Sequence, residues 1–148
     1  MAGVRFNAVT ASVATGVVAK TVAQIVAAAN QRVLVKEIHI AFAGTSNTNE
    51  PIKVDIMRQT DAGTMSALTL VKGNNSDDET LQSTAQHTAT VEPASGDVIM
   101  TIKGHPQTSF SWQAPFGGEI PVIGGGRVGF RVTAANDVGA FVSIVGEE

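Results

Sequence analysis

The sequence predicts an all-β protein: an antiparallel β-sandwich or jelly roll of roughly ten strands in one domain spanning 1–148. Three observations carry this. Apolar and polar residues alternate with period two over short runs, as they do on half-buried strands. Clusters of Gly, Pro and Asn separate the runs at the spacing typical of sandwiches and jelly rolls. The stretch Gly104 to Ala134 reads as strand, corner, short strand, tight turn and long strand, and it holds the sole Trp, three of the six Phe and three of the five Pro.

Val4 to Ser12 alternates loosely, so residues 1–12 read either as a first strand or as an extended N-terminal arm able to pair with a neighbouring sheet edge. Val17 to Ala29 has alanines that favour helix, but its β-branched residues and period-two pattern favour strand. Arg32 to Ala43 is the clearest long strand, half apolar on both faces. Gly44 to Pro51 is a loop rich in turn formers. Ile52 to Gln59 places Ile52, Val54 and Ile56 inward and Lys53, Asp55 and Gln59 outward.

Met65 to Val71 is a short strand, Gly73 to Glu79 the most polar loop, and Thr80 to Glu92 a polar strand or partly irregular segment. Asp97 to Lys103 reads as a buried strand by composition. Thr108 to Gln113 alternates around Phe110 and Trp112, and Gly124 to Gly126 permit a tight turn. Arg127 to Thr133 and Val138 to Val145 close the fold, with Gly146 to Glu148 expected to fray.

A length of 148 residues suits one domain with a self-sufficient core. Charged residues make up 16%, against about 25% in average soluble domains. Subunit contacts explain the deficit, as does a neutral surface rich in Thr, Ser and Asn. Net charge is −3 and the basic residues are scattered, which argues against nucleic acid. Cysteine is absent, which removes disulfides, thiolate metal sites and cysteine nucleophiles. Val17 to Ala29 is too short and too polar to span a membrane, and the first residues lack the pattern of a secretory signal.

Candidate chemistry is sparse. His39, His87 and His105 sit on separate segments, so sequence gives no convergent metal site. Asn74, Asn75, Ser76, Asp77, Asp78 and Glu79 offer oxygen ligands without the spacing of a calcium loop. Gly124-Gly125-Gly126-Arg127 lacks the Gly-Lys-Ser/Thr ending of a phosphate loop, and no Gly-x-Ser-x-Gly elbow is present. Glu37 and His39 share a strand face, but a cupin-like metal site needs a second histidine close by, and none follows in sequence. Trp112, Phe110 and Phe116 suggest an aromatic platform, although the spacing of Phe110 and Trp112 favours core packing. With one Trp and no Tyr, a lectin-like binder is disfavoured. The expectation is a non-catalytic protein with no cofactor and no metal.

A family resemblance sharpens this. His105-Pro106, Trp112, Pro115, Gly117, Pro121-Val122, the run Gly124 to Gly129 and Arg131 to Ala134 resemble small proteins that tailed bacteriophages and prophages encode near their capsid genes. Val35 to Phe42 with Gly44-Thr45-Ser46, Pro51 to Gln59 with Thr60 and Gly63, Glu92-Pro93 and Gly96-Asp97 are similar to the same group. The resemblance covers about Ala19 to Val145 and its motifs are structural. It implies a head decoration, or cement, protein of the jelly-roll type, made in the bacterial host cytoplasm and located on the virion capsid surface. Its implied partners are the major capsid protein and further copies of itself, a homotrimer being favoured. The competing reading is a tail- or fibre-associated receptor-binding module on a similar sandwich; a jelly-roll enzyme is the least favoured reading.

Overall fold

The computed structural model describes residues 3–45 and 50–148. Residues 46–49 of the expected 44–51 loop lie outside that range, as do the first two residues of the possible arm. Thirteen strands follow in order: β1 (Arg5–Val9), β2 (Val13–Ala14), β3 (Lys20–Val26), β4 (Val33–Ala43), β5 (Ile52–Gln59), β6 (Thr64–Leu68), β7 (Leu70–Lys72), β8 (Thr84–Val91), β9 (Ser95–Gly104), β10 (Ser109–Gln113), β11 (Ile120–Val122), β12 (Arg127–Thr133) and β13 (Gly139–Glu147). The stretch Val17 to Ala29, read as strand over helix, holds β3.

The strands form two antiparallel sheets. The first has seven strands, in the order β10-β4-β13-β1-β7, with β11 added to β4 and β2 to β13. The second has six, in the order β6-β8-β3-β12-β5-β9. The principal pairings are nested: β1 with β13, β3 with β12, β4 with β10, and β5 with β9. Outermost strands pair first with last and innermost with each other, which is the winding of a jelly roll. One apolar cluster fills the space between the sheets, built around Phe6, Ile25, Ile38, Ile40, Ile56, Phe130 and Ile144.

The excess over ten strands comes from breaks that composition hides. Met65 to Val71 is two strands, because the chain leaves the six-stranded sheet after Leu68 and joins the seven-stranded one at Leu70. Val4 to Ser12 holds β1 alone, and the two-residue β2 follows it. Residues 5–9, read as strand or arm, lie between β13 and β7, with Phe6 and Ala8 fully buried.

Residues 60–94 are an insertion between the paired strands β5 and β9. The insertion crosses the outer face of the second sheet to reach β3, where β8 pairs alongside, and it sends β7 to the edge of β1. It therefore closes one flank of the sandwich, with Leu68, Leu70 and Leu81 packed against the core. Thr88, at φ 55°, marks the point where β8 leaves β3, just after the last pair, Ala23 with His87. A β-branched residue in that region is strained, so the corner is imposed by what surrounds it.

The crossing overturns one expectation. Asp55 and Gln59 do not face solvent; they are 1% and 5% exposed. Gln59 lies under the two ends of the insertion, which are joined by a bond from the Thr60 N–H to the Ala94 carbonyl (3.0 Å), and Asp55 is enclosed by Lys53, Thr101 and Arg131. Beneath the roof lies a polar chain. Gln24 Nε2 donates to Gln59 Oε1 (2.6 Å), Gln59 Nε2 to Thr21 Oγ1 (2.8 Å), and Thr21 Oγ1 to Glu92 Oε2 (2.8 Å). Buried amides tolerate removal from water only when partnered in this way.

Two further expectations fail. Asp97 to Lys103 is not buried: β9 is an edge strand, and Val98 and Ile99 are exposed because nothing pairs beyond them among the described residues. Nor does the C-terminus fray. β13 runs to Glu147, and the Glu148 carboxylate accepts the N–H groups of Gln82 (2.6 Å) and Ser83 (2.8 Å).

Gly129 sits under the polar chain. A Cβ there would lie 2.1 Å from Gln59 Oε1, and that amide is held from both sides. Gly129→Ala should therefore destabilise the fold by about 1–3 kcal/mol, the usual cost of overpacking. Urea unfolding measures this, and an unchanged midpoint would show that Gln59 moves freely.

Candidate functional site

Three places hold concentrated chemistry or concavity: a polar cluster on the outer face of the first sheet, an ion cluster on the second, and an apolar cavity at the open flank.

The first comes from strand register. Glu37 and His39 project from β4 on the outer face, and β10 sets Ser111 beside His39 and Gln113 beside Glu37. Ser111 Oγ lies 2.8 Å from His39 Nδ1, and His39 Nε2 lies 3.6 Å from Glu37 Oε2. Gln113 Nε2 donates to Glu37 Oε1 (3.2 Å), and Arg5 stands 4.0 Å from the same oxygen. Sequence offered Glu37 and His39 as neighbours; Ser111, 72 positions away, was not visible as their partner.

The order hydroxyl, imidazole, carboxylate matches a nucleophile with its base. The His39 side chain, however, is 51% exposed on an open sheet face. Acyl transfer also needs an enclosed site with donors aimed at a developing oxyanion, and neither Ser111 nor His39 lines a cleft described below. The cluster is a solvated polar stripe, whose pairs contribute little individually. Val9, Val71 and Phe141 project from the same face and are 58%, 56% and 43% exposed.

The second cluster centres on buried Asp55. Lys53 Nζ is 2.8 Å from Asp55 Oδ2, Arg131 is 3.7 Å from the same oxygen, and Thr101 Oγ1 donates to Oδ1 (2.7 Å). Burial disfavours the charged carboxylate, but the hydrogen bonds from Lys53 and Thr101 and the charges of Lys53 and Arg131 outweigh it and hold the carboxyl below its ordinary 3.8. Glu147 is held below its ordinary 4.5 by its hydrogen bond from Lys36, against the opposing effect of burial. Lys53, Thr101 and Arg131 all engage Asp55, so the cluster is a structural clamp.

The histidines do not converge. His39 faces Ser111, His87 Nδ1 lies 2.9 Å from Thr88 Oγ1, and His105 Nδ1 accepts the Gln107 N–H (3.1 Å). Among the described residues no group of three or more His, Asp or Glu is placed to hold a metal ion. The Asn74 to Glu79 loop folds on itself: Asn74 Nδ2 donates to Asp77 Oδ1, and Asn74 Oδ1 accepts the Ser76 N–H. The Gly124 to Gly126 turn is structural, since a Cβ on Gly124 would lie 2.4 Å from the Ala29 carbonyl oxygen and Gly125 has φ +75°.

The aromatic platform is not assembled. Phe110 and Trp112 pair with Ile40 and Ile38 on the inward face, while Phe116 stands wholly in solvent. Phe110 instead lines the third place, a cavity of about 150 Å³ between β4 and β10 on one sheet and β5 and β9 on the other. Its walls are Ile40, Phe42, Val54, Ile102 and Phe110, with Thr108 and Lys103 also lining it. It lies on the flank opposite the insertion, where among the described residues no strand covers the gap between the sheets. Sequence showed the apolar residues but not the gap, because the gap depends on where the insertion goes. Two shallower clefts, around Arg58 and Ile123 and around Gly3 and Glu148, lie elsewhere.

Comparison with protein-family models, with curated proteins and with solved structures finds no match to this chain.

The two carboxylates give a testable pH dependence. An unfolded chain takes up protons near 3.8 and 4.5, where the native Asp55 and Glu147 still refuse them. Their stabilisation is therefore complete above that range and is lost as pH falls through it toward the lower native values. Urea midpoints between pH 7 and pH 3 should hold steady and then drop, and Asp55→Asn should drop less steeply. Equal slopes in the two proteins would remove Asp55 from this account.

Proposed function

We propose that this chain is a non-catalytic structural protein that decorates and stabilises a bacteriophage capsid surface in many copies. The observation that carries the reading is a rigid jelly roll whose charged and polar clusters are engaged with each other while large apolar side chains stand in solvent. Phe116, Val9, Val71 and Phe141 are exposed on turns and strands, beside a surface low in charge. Exposed apolar groups on an otherwise self-satisfied fold are what protein–protein contact requires. The resemblance to capsid-associated phage proteins supports a shell as the partner, with further copies of the chain as the second. Many weak attachments to a symmetric lattice give strong overall binding without a deep single site.

Copy number tests this. The 15.3 kDa band in purified particles of the encoding phage, quantified on a denaturing gel, should stand at one copy or a simple fraction per shell subunit. A handful of copies per particle would place the protein on the tail or neck and favour the receptor-binding alternative. Its absence from particles would end the virion reading.

A further inference from the structure

We propose that the turn between β11 and β12 is a docking surface for an acidic polypeptide segment, whose carboxylates are received by Arg32, Arg58 and Arg127 around Ile123. This deepens the contact reading above by naming the partner's chemistry, and it rests on that reading for the existence of a protein partner.

These three arginines are the exception to the engaged clusters described above. Arg5, Lys36, Lys53 and Arg131 each meet a carboxylate, and Lys20 and Lys72 each bond a carbonyl. Among the described residues, the side chains of Arg32 and Arg127 make no hydrogen bond or ion pair. Arg58 makes one bond, from Nη1 to the Pro121 carbonyl (2.9 Å), and the rest of its fork is free.

Positions 32, 58 and 127 are far apart in sequence, and the fold gathers them at one turn. Arg32 precedes Val33, which pairs with Val122 of β11. Arg58 reaches from the second sheet to Pro121, one residue earlier. Arg127 opens β12 directly after the turn. Arg58, Gln59, Thr60, Ile123, Gly126 and Arg127 line one shallow cleft, and none of them is acidic. The carboxylates nearest in sequence do not engage the arginines. Asp61 Oδ1 accepts the N–H groups of Gly63 and Ala94, and Glu119 forms no ion pair among the described residues. A chain of net charge −3 thus carries an uncompensated positive end. Such a patch attracts and orients a partner of opposite sign.

The geometry points to a chain segment over a single small anion. Arg127 stands directly across from Gln59 on the outer face, whereas Arg58 runs toward the first sheet, so the two flank the end of β5 from opposite sides. A run of several residues laid across the turn spans them. Ile123, 69% exposed, gives that run an apolar contact between the cations. All three cations are arginine, which protein contacts favour over lysine and whose planar fork takes a carboxylate bidentately. Nucleic acid is less suited, since no aromatic side chain lines the cleft for base stacking. The turn is also preformed. The Gly126 N–H bonds the Ile123 carbonyl (2.8 Å), and the Gly125 N–H is shared between the carbonyls of Ala27 (3.2 Å) and Ala28 (3.1 Å). Little ordering is left to oppose binding.

Fluorescence anisotropy of a labelled peptide Glu-Glu-Leu-Glu-Glu reads the outcome. The peptide should bind saturably to the full chain, and its Gln-Gln-Leu-Gln-Gln counterpart should not. Arg127→Gln and Arg58→Gln should each weaken binding by about tenfold, the loss of one charge-assisted hydrogen bond. Arg127→Lys should lose nearly as much, because it keeps the charge but not the fork. Lys103→Gln, which removes an unpaired cation from β9, should bind as the wild type does. Should Arg58→Gln fail to fold, Arg32→Gln supplies the second arm. Absence of saturable binding overturns the site, as does an equal loss in Lys103→Gln, which would mean unspecific attraction. Displacement of the peptide by inorganic phosphate or single-stranded DNA at lower concentration would replace the ligand assigned. So would a wild-type oligomer that Arg127→Gln dissolves, since a second copy would then occupy the surface. Copy number in particles tests the capsid reading separately, and lattice-level occupancy that survives Arg127→Gln would sink this surface while keeping that reading.

Discussion

The structure depends on a carboxylate at a corner. Glu92 accepts both the backbone N–H of Thr21 (2.5 Å) and its hydroxyl (2.8 Å), at the point where the long insertion turns back over the second sheet. The Thr21 N–H has lost its strand partner there, since β8 pairs β3 only from Ala23 onward. An unpaired buried N–H costs about 1–3 kcal/mol, so the capping carboxylate decides whether the corner is tolerated. Asp61 does the same work on the other limb, its Oδ1 accepting the N–H groups of Gly63 (3.0 Å) and Ala94 (2.9 Å). Two acidic residues thus tie the crossing segments to each other and to the sheet beneath.

The crossing sets the chemistry of everything it covers. The outer face of an exposed sheet carries solvated polar residues, but here Thr21, Gln24, Asp55 and Gln59 are all buried. They are partnered by each other, by Glu92 and by Lys53 and Arg131, while Gln24 Oε1 is left without a partner among the described residues. Gly129 gives way so that the Gln59 amide can lie flat across β12. A layer of amides and ions specifies position more tightly than an apolar layer of equal volume, because each misplacement leaves an orphaned group. That fits an insertion whose register must send β8 and β7 to two different sheets.

The same crossing explains which parts of the fold were legible. Ile52, Val54 and Ile56 were read as inward because alternation reports local geometry, and these three face the core of any sandwich. Asp55 and Gln59 were misread because alternation identifies two faces but not what covers the second. The Asp97 to Lys103 run was misread for the converse reason: Val98 and Ile99 have core composition, yet β9 ends its sheet. Ser111 beside His39 depends on a register between strands far apart in sequence, which no local pattern encodes. Phe116 was legible only as an aromatic beside Phe110 and Trp112, and the Pro115 to Gly118 turn that carries it into solvent was read as a corner and nothing finer.

An insertion that closes one flank leaves the other to be managed differently. β9 is ten residues long and, among the described residues, unpaired on its outer side, which is an invitation to pair with another chain. Its pairing with β5 slips twice, between Ile56 and Met57 and between Met57 and Gln59, each time with an extra residue on β9. Bulges of this kind bend an edge and interrupt the regular ladder of outward N–H and C=O groups that a neighbouring strand needs. Asp97 and Lys103 add charge near its two ends. Backbone pairing along this edge is therefore discouraged.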